Sequence, residues 1–118
     1  MQPIDIAKNV VKALDEKKAQ DIEVIKVSDV TILADYFVIA SANNATLVKA
    51  LADETEHALE QKGVRPSHIE GRATQWILID YASVVVHVFY QQTREFYSLE
   101  RLWQDGERVD LATLLQDN

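Results

Sequence analysis

Cysteine is absent from the 118 residues, which removes disulfides, thiolate nucleophiles and cysteine-type zinc sites from consideration. Long hydrophobic runs are missing too. The longest, Val84–Val86 with its neighbours, has the length of a strand, far short of the ~20 residues that cross a bilayer. Met1 to Asp5 show no basic stretch followed by an apolar run, so no secretory signal is expected. A soluble cytoplasmic protein is the expectation. Basic residues are outnumbered, 12 Lys and Arg against 19 Asp and Glu, for a net charge of −7. They are also scattered, with no cluster of four. Phosphate backbones repel such a chain, so direct nucleic-acid binding is not expected and a basic protein is the better-matched partner.

What is present is ordinary globular material, 47% apolar and 26% charged, enough for one domain spanning 1–118 with a core of its own. Ile6, Ala7, Val10, Val11 and Leu14 recur at helical spacing, so a helix is expected over Ile4–Glu16, with Pro3 in its first turn. Ile22 to Val27 reads as a strand. Tyr36–Ala42 is almost wholly apolar and β-prone, the pattern of a central strand covered on both faces. Asn43 and Asn44 offer N-caps for a second helix carrying Leu47, Val48, Leu51, Thr55, Ala58 and Leu59, which Gly63 ends. A short strand is expected at His68–Glu70. Trp76–Asp80 and Val84–Phe89 form a hairpin around Tyr81, Ala82 and Ser83. A short helix from about Thr93 places Phe96, Leu99, Leu102 and Trp103 on one face, and Arg108–Leu111 is a last strand or a tail. The class is α/β, a mixed sheet flanked by helices, with a right-handed crossover from the Tyr36 strand to a later parallel one.

Candidate chemistry is thin. His68 and Glu70 form the first half of a zinc-deaminase signature whose second half needs cysteines, so loop decoration is the simpler reading. His57, His68 and His87 lie on three different elements, and His87, inside a β-branched run, reads as a hydrogen-bonded packing residue. Ala40–Asn44 joins strand to helix without the glycine a phosphate cradle uses, so capping is preferred. Asp35 and Asp80 stand at strand ends without the paired acid that two-metal transfer requires. No metal or cofactor is expected. Trp76 is different. Alternation puts Trp76, Leu78 and Asp80 on one face of a strand and Ile77 and Ile79 on the other. If the isoleucines are core, an aromatic, an aliphatic and a carboxylate stand together outside, as recognition surfaces do.

Four segments add a resemblance: Asp35–Ser41 (DYFVIAS), Trp76–Tyr81 (WILIDY), Val85–Phe89 (VVHVF) and Arg94–Trp103 (REFYSLERLW), in this order and at this spacing. The chain resembles the ribosomal silencing factor (Iojap-like) family across about Ile6 to Asp105. It departs at Ala42, where many relatives have glycine. The resemblance implies a fold similar to the nucleotidyltransferases without their catalytic carboxylates. It also implies binding to the large ribosomal subunit through ribosomal protein L fourteen, at the face that meets the small subunit. That binding blocks subunit joining and lowers translation when nutrients are scarce. A homodimer is implied for the free protein, and no enzymatic activity. Trp76, Leu78, Asp80, Tyr81 and Tyr97 are the expected contact residues, with Asp80, Glu95 and Glu100 as steering acids, whereas Trp103 is expected in the core. The alternatives are a nucleotidyltransferase-like enzyme that kept its activity, or an assembly factor for the large subunit.

Overall fold

The computed structural model describes residues 1–71, 75–97 and 106–115, with Glu95, Phe96 and Tyr97 described by their backbone alone. Helix α1 runs Pro3–Glu16, proline in its first turn, and buries Ile6, Ala7, Val10, Val11, Ala13 and Leu14. Proline suits that position because its missing N–H would have no helical acceptor there. Strand β1, Gln20–Lys26, pairs antiparallel with β2, Tyr36–Ala42. Beyond its first residue β2 is buried throughout, as its almost wholly apolar sequence requires. Val30, Ile32 and Leu33, in the β1–β2 connection, are exposed despite their apolar side chains.

Helix α2, Ala45–Gln61, starts at Asn44, whose side-chain oxygen accepts the Leu47 N–H at 2.7 Å. That bond satisfies one of the donors a helix start leaves unpaired. At the other end the Val64 N–H reaches the Leu59 carbonyl and the Gly63 N–H reaches Glu60, both at 2.9 Å. This reversal needs a left-handed residue, and Gly63 supplies it at φ +78°. Strands β3 (His68–Glu70), β4 (Trp76–Asp80) and β5 (Val84–Tyr90) follow. The β4–β5 hairpin is closed by Asp80, whose Oδ1 accepts the Ala82 N–H at 2.7 Å. Helix α3, Gln91–Tyr97, begins directly after β5, two residues ahead of the expected Thr93 start. Strand β6 is Glu107–Val109. The segment expected as strand or tail divides there, because α4, Leu111–Leu115, follows at once.

The six strands form one sheet in the order β3-β4-β5-β2-β1-β6. β2 and β5 are parallel from Tyr36↔Val84 to Ala42↔Tyr90, and the other pairings are antiparallel. The expected mixed α/β sheet is therefore present. One sheet face takes the helices: Val24, Val38, Ala40, Ile77, Ile79, Val86 and Val88 share a cluster with the buried side chains of α1 and α2. Leu14, Leu51 and Leu59 are wholly buried, each contributing roughly 1.5–3 kcal/mol relative to exposure. The opposite face holds a smaller cluster of Ile25, Val27, Ala34, Phe37, Ile39 and Phe89, with Trp76 and Val85 at its border. The candidate site lies on that second face, toward β3.

Candidate functional site

Strand β4 sorts its side chains by parity. Ile77 and Ile79 are buried against the helices, while Trp76, Leu78 and Asp80 are partly buried on the other face. Register then builds a surface around them. His68 pairs with Asp80, and Glu70 pairs with Leu78. On the inner side Leu78 pairs with His87 and Trp76 with Phe89. Moving inward from the sheet edge, the face passes from exposed His68 and Glu70, whose Nε2 and Oε1 lie 3.2 Å apart, through Leu78 and Trp76 to buried aromatics. Among the described residues no three of His, Asp and Glu converge as metal ligands.

The Trp76 indole is held on two sides. It stacks on Phe89, with ring centroids 4.9 Å apart at 29°, and its N–H donates to His87 Nδ1 at 3.2 Å. Phe37 meets the His87 ring edge-on at 5.4 Å. Burial disfavours the imidazolium and lowers the His87 pKa to about 4. At neutral pH the ring is uncharged. Because Nδ1 accepts, its single proton sits on Nε2. The expectation that His87 is a hydrogen-bonded packing residue is thus met, and its acceptor role toward Trp76 is added.

One expected contact residue is corrected. Tyr81 is only 6% exposed and belongs to the helix-side core with Ile77 and Ile79. The reason is parity: residue 81 continues the 77–79 face, so its ring turns inward while Asp80 turns out. Its hydroxyl has no hydrogen-bond partner among the described residues. Burial, and then the nearby Glu56 carboxylate, push its pKa up. The side chains of Glu95 and Tyr97 lie outside the described residues, as do Glu100 and Trp103 altogether.

Sequence reasoning missed a polar clamp that seats α3 on the sheet. Arg94 is 7% exposed. Its guanidinium donates to the Asp21 carbonyl at 2.6 Å, to Ser41 Oγ at 2.8 Å and to Glu23 Oε2 at 3.1 Å. Glu23 also accepts from Arg108, which ties in β6. Asp21, at φ +49°, lies in the irregular register that brings its carbonyl to the arginine. The only local signal was an Arg–Glu pair at a helix start, which reads as surface. Gln75 secures the same helix from the β4 side: its carbonyl accepts the Tyr90 N–H at 2.8 Å and its side chain accepts the Thr93 hydroxyl at 2.9 Å.

An aromatic anchored from behind and a partly buried aliphatic beside acids are features that suit recognition of another macromolecule. The class is an α/β domain with a mixed sheet flanked by helices. The chain belongs to the ribosomal silencing factor family: the family described as "Ribosomal silencing factor during starvation" matches residues 1–118. The Ribosomal silencing factor RsfS of Bacillus subtilis (strain 168) is 36% identical over 112 residues, covering 94% of this chain and 95% of that protein. The mouse protein named Mitochondrial assembly of ribosomal large subunit protein 1 is 34% identical over 97 residues, 79% of this chain and 42% of its own length. A crystal structure of a Chromobacterium violaceum protein superimposes with a TM-score of 0.86 at 33% identity, covering 88% of each chain.

Proposed function

We propose that the protein docks on the large ribosomal subunit through the Trp76–Leu78–Asp80 face and silences translation by occupying space the small subunit needs. The contact is ribosomal protein L fourteen. The protein acts in the cytoplasm under nutrient limitation, is a homodimer when free, and works by occlusion rather than catalysis. The observation that carries this reading is the division of β4, where Ile77 and Ile79 are buried while Trp76, Leu78 and Asp80 stay partly exposed beside exposed His68 and Glu70. Partly buried tryptophans can anchor interfaces, and an acidic rim speeds association with a basic partner. Membership of the ribosomal silencing factor family supports the choice of partner.

The test is co-sedimentation with isolated large and small subunits. Wild-type protein is expected with large subunits and not with small subunits or intact ribosomes. Equal recovery with both subunits refutes the steric mechanism. Leu78→Ser is the cleaner probe of the face, because Trp76→Ala also removes the Phe89 stack and the His87 bond. Leu78→Ser should weaken binding about tenfold, since loss of a central apolar contact is worth more than 1 kcal/mol. The mouse relative's name favours one second reading, an assembly factor for the large subunit. Cells lacking the protein would then accumulate immature large subunits, whereas a silencing factor leaves their maturation intact.

A further inference from the structure

The Trp76 indole has one hydrogen-bond donor, and the fold already engages it. Its N–H points along the sheet to His87 Nδ1, 3.2 Å away on the neighbouring strand. The two residues are diagonal neighbours: Trp76 pairs with Phe89, and His87 pairs with Leu78. The ring is fixed about its other axis by stacking on Phe89 at 4.9 Å. His87 is itself pinned, 5% exposed, with Phe37 edge-on at 5.4 Å and Phe89 stacked at 6.2 Å. A buried imidazole held this tightly is a fixed acceptor, not a side chain that follows the indole.

We infer that His87 is the positioning residue of the docking face. By accepting the indole N–H it locks the Trp76 ring in one orientation before any partner arrives. It also decides which part of the tryptophan a partner meets. With the N–H engaged internally, the partner contacts carbon surface and the negative face of the ring, so it presents an aliphatic or cationic group there and not a hydrogen-bond acceptor. A preset ring loses less conformational freedom on binding than a free one, and that difference appears as affinity. The inference rests on the docking reading for its effect on binding, but the lock itself is a property of the free protein and is measurable without a partner.

Two sets of measurements separate the lock from the docking. In the free wild-type protein, nitrogen-detected NMR of the histidine ring is expected to show His87 Nδ1 without a proton, and the Trp76 indole proton is expected to exchange slowly. The resonance is assigned by its loss in Trp76→Phe. A protonated Nδ1, or an indole proton exchanging as fast as in an unfolded peptide, overturns the proposal. His87→Leu removes the acceptor at similar volume, and His87→Asn returns an oxygen near the Nδ1 position. Indole exchange should quicken at least tenfold in the leucine variant and be largely restored in the asparagine variant. Large-subunit affinity should fall about 5- to 10-fold in His87→Leu, the ratio expected for one hydrogen bond. In a Trp76→Phe background the same change should have no further effect. A loss that persists there shows that His87 does not act through Trp76 and refutes the proposal. If Trp76→Phe and Leu78→Ser both bind normally, the docking face is wrong, while the exchange data still decide the lock. Should His87→Leu fail to fold, the wild-type tautomer and exchange rate decide alone.

Discussion

Tyr81→Phe is expected to stabilise the protein. Tyr81 is 6% exposed and packs in the helix-side core with Ile77, Ile79 and Val84. Its hydroxyl has no hydrogen-bond partner among the described residues. Leaving a hydroxyl unpaired in such a place costs about 1–3 kcal/mol, because its bonds to water are lost and not replaced. Phenylalanine keeps the ring and its packing and deletes only that atom. The expected gain is about 1 kcal/mol, which is roughly 4 °C in melting temperature for a chain of this length. In urea the midpoint should rise by about 0.5 M at a slope near 2 kcal/mol/M. Tyr81→Ala, which removes the ring as well, should instead lose about 3–5 kcal/mol. The alkaline limb offers an independent reading. Burial and the Glu56 carboxylate raise the native pKa of Tyr81, so its contribution is complete below the unfolded value near 10 and is lost as pH climbs past it. The phenylalanine variant should lack that part of the alkaline loss. The decisive measurement is urea denaturation at neutral pH. A destabilisation of about 1 kcal/mol or more would mean that the hydroxyl is bonded in solution, to a buried water for instance, and would refute the reasoning. Large-subunit binding should be unchanged, since the ring does not face the proposed docking surface.

Arg94→Met should cost about 2–3 kcal/mol in chemical denaturation. It strands Ser41 and the Asp21 carbonyl, but Glu23 keeps Arg108 and is a quarter exposed, which reduces the penalty usual for a broken buried pair. Arg94→Lys should recover less than half of the loss, because one ammonium cannot reproduce a fork serving three acceptors; full recovery would show that charge alone matters. Stability should also fall as pH drops from about 6.5 toward 4. The unfolded chain then takes up a proton on His87, which the buried native ring, with its pKa lowered to about 4, refuses. The difference approaches roughly 3 kcal/mol at the acid end. His87→Leu should flatten that window relative to wild type, and an unchanged acid slope would contradict the assigned burial.

Much of this fold was legible in local pattern. The helical stripe of α1, the apolar run of β2, the Asn44 cap, the Gly63 stop and the β4–β5 hairpin each depend on neighbours a few residues apart, where backbone geometry and burial act directly. The face of β4 was legible for the same reason. The same parity, carried one residue further, would have turned Tyr81 inward. It was placed outside because a phenol at the end of a motif reads as surface, and a buried phenol with no hydrogen-bond partner among the described residues departs from the rule that buried polar atoms are paired.

Sequence alone determined α1, α2, β1, β2 and the β4–β5 hairpin, the α/β class and the pairing of a tryptophan with a leucine and an acid on one side of a strand. All of these follow from periodicities of two and 3.6 residues. It did not determine the division of 107–115 into β6 and α4. The tertiary structure decided what stands beside them. It set His87 against the Trp76 N–H by fixing the β4–β5 register, and it brought Asp21, Glu23 and Ser41 around Arg94. Those contacts join residues that are 11 to 73 positions apart. No local propensity encodes them, because strand register and helix docking are settled by the packing of the whole sheet and its helices.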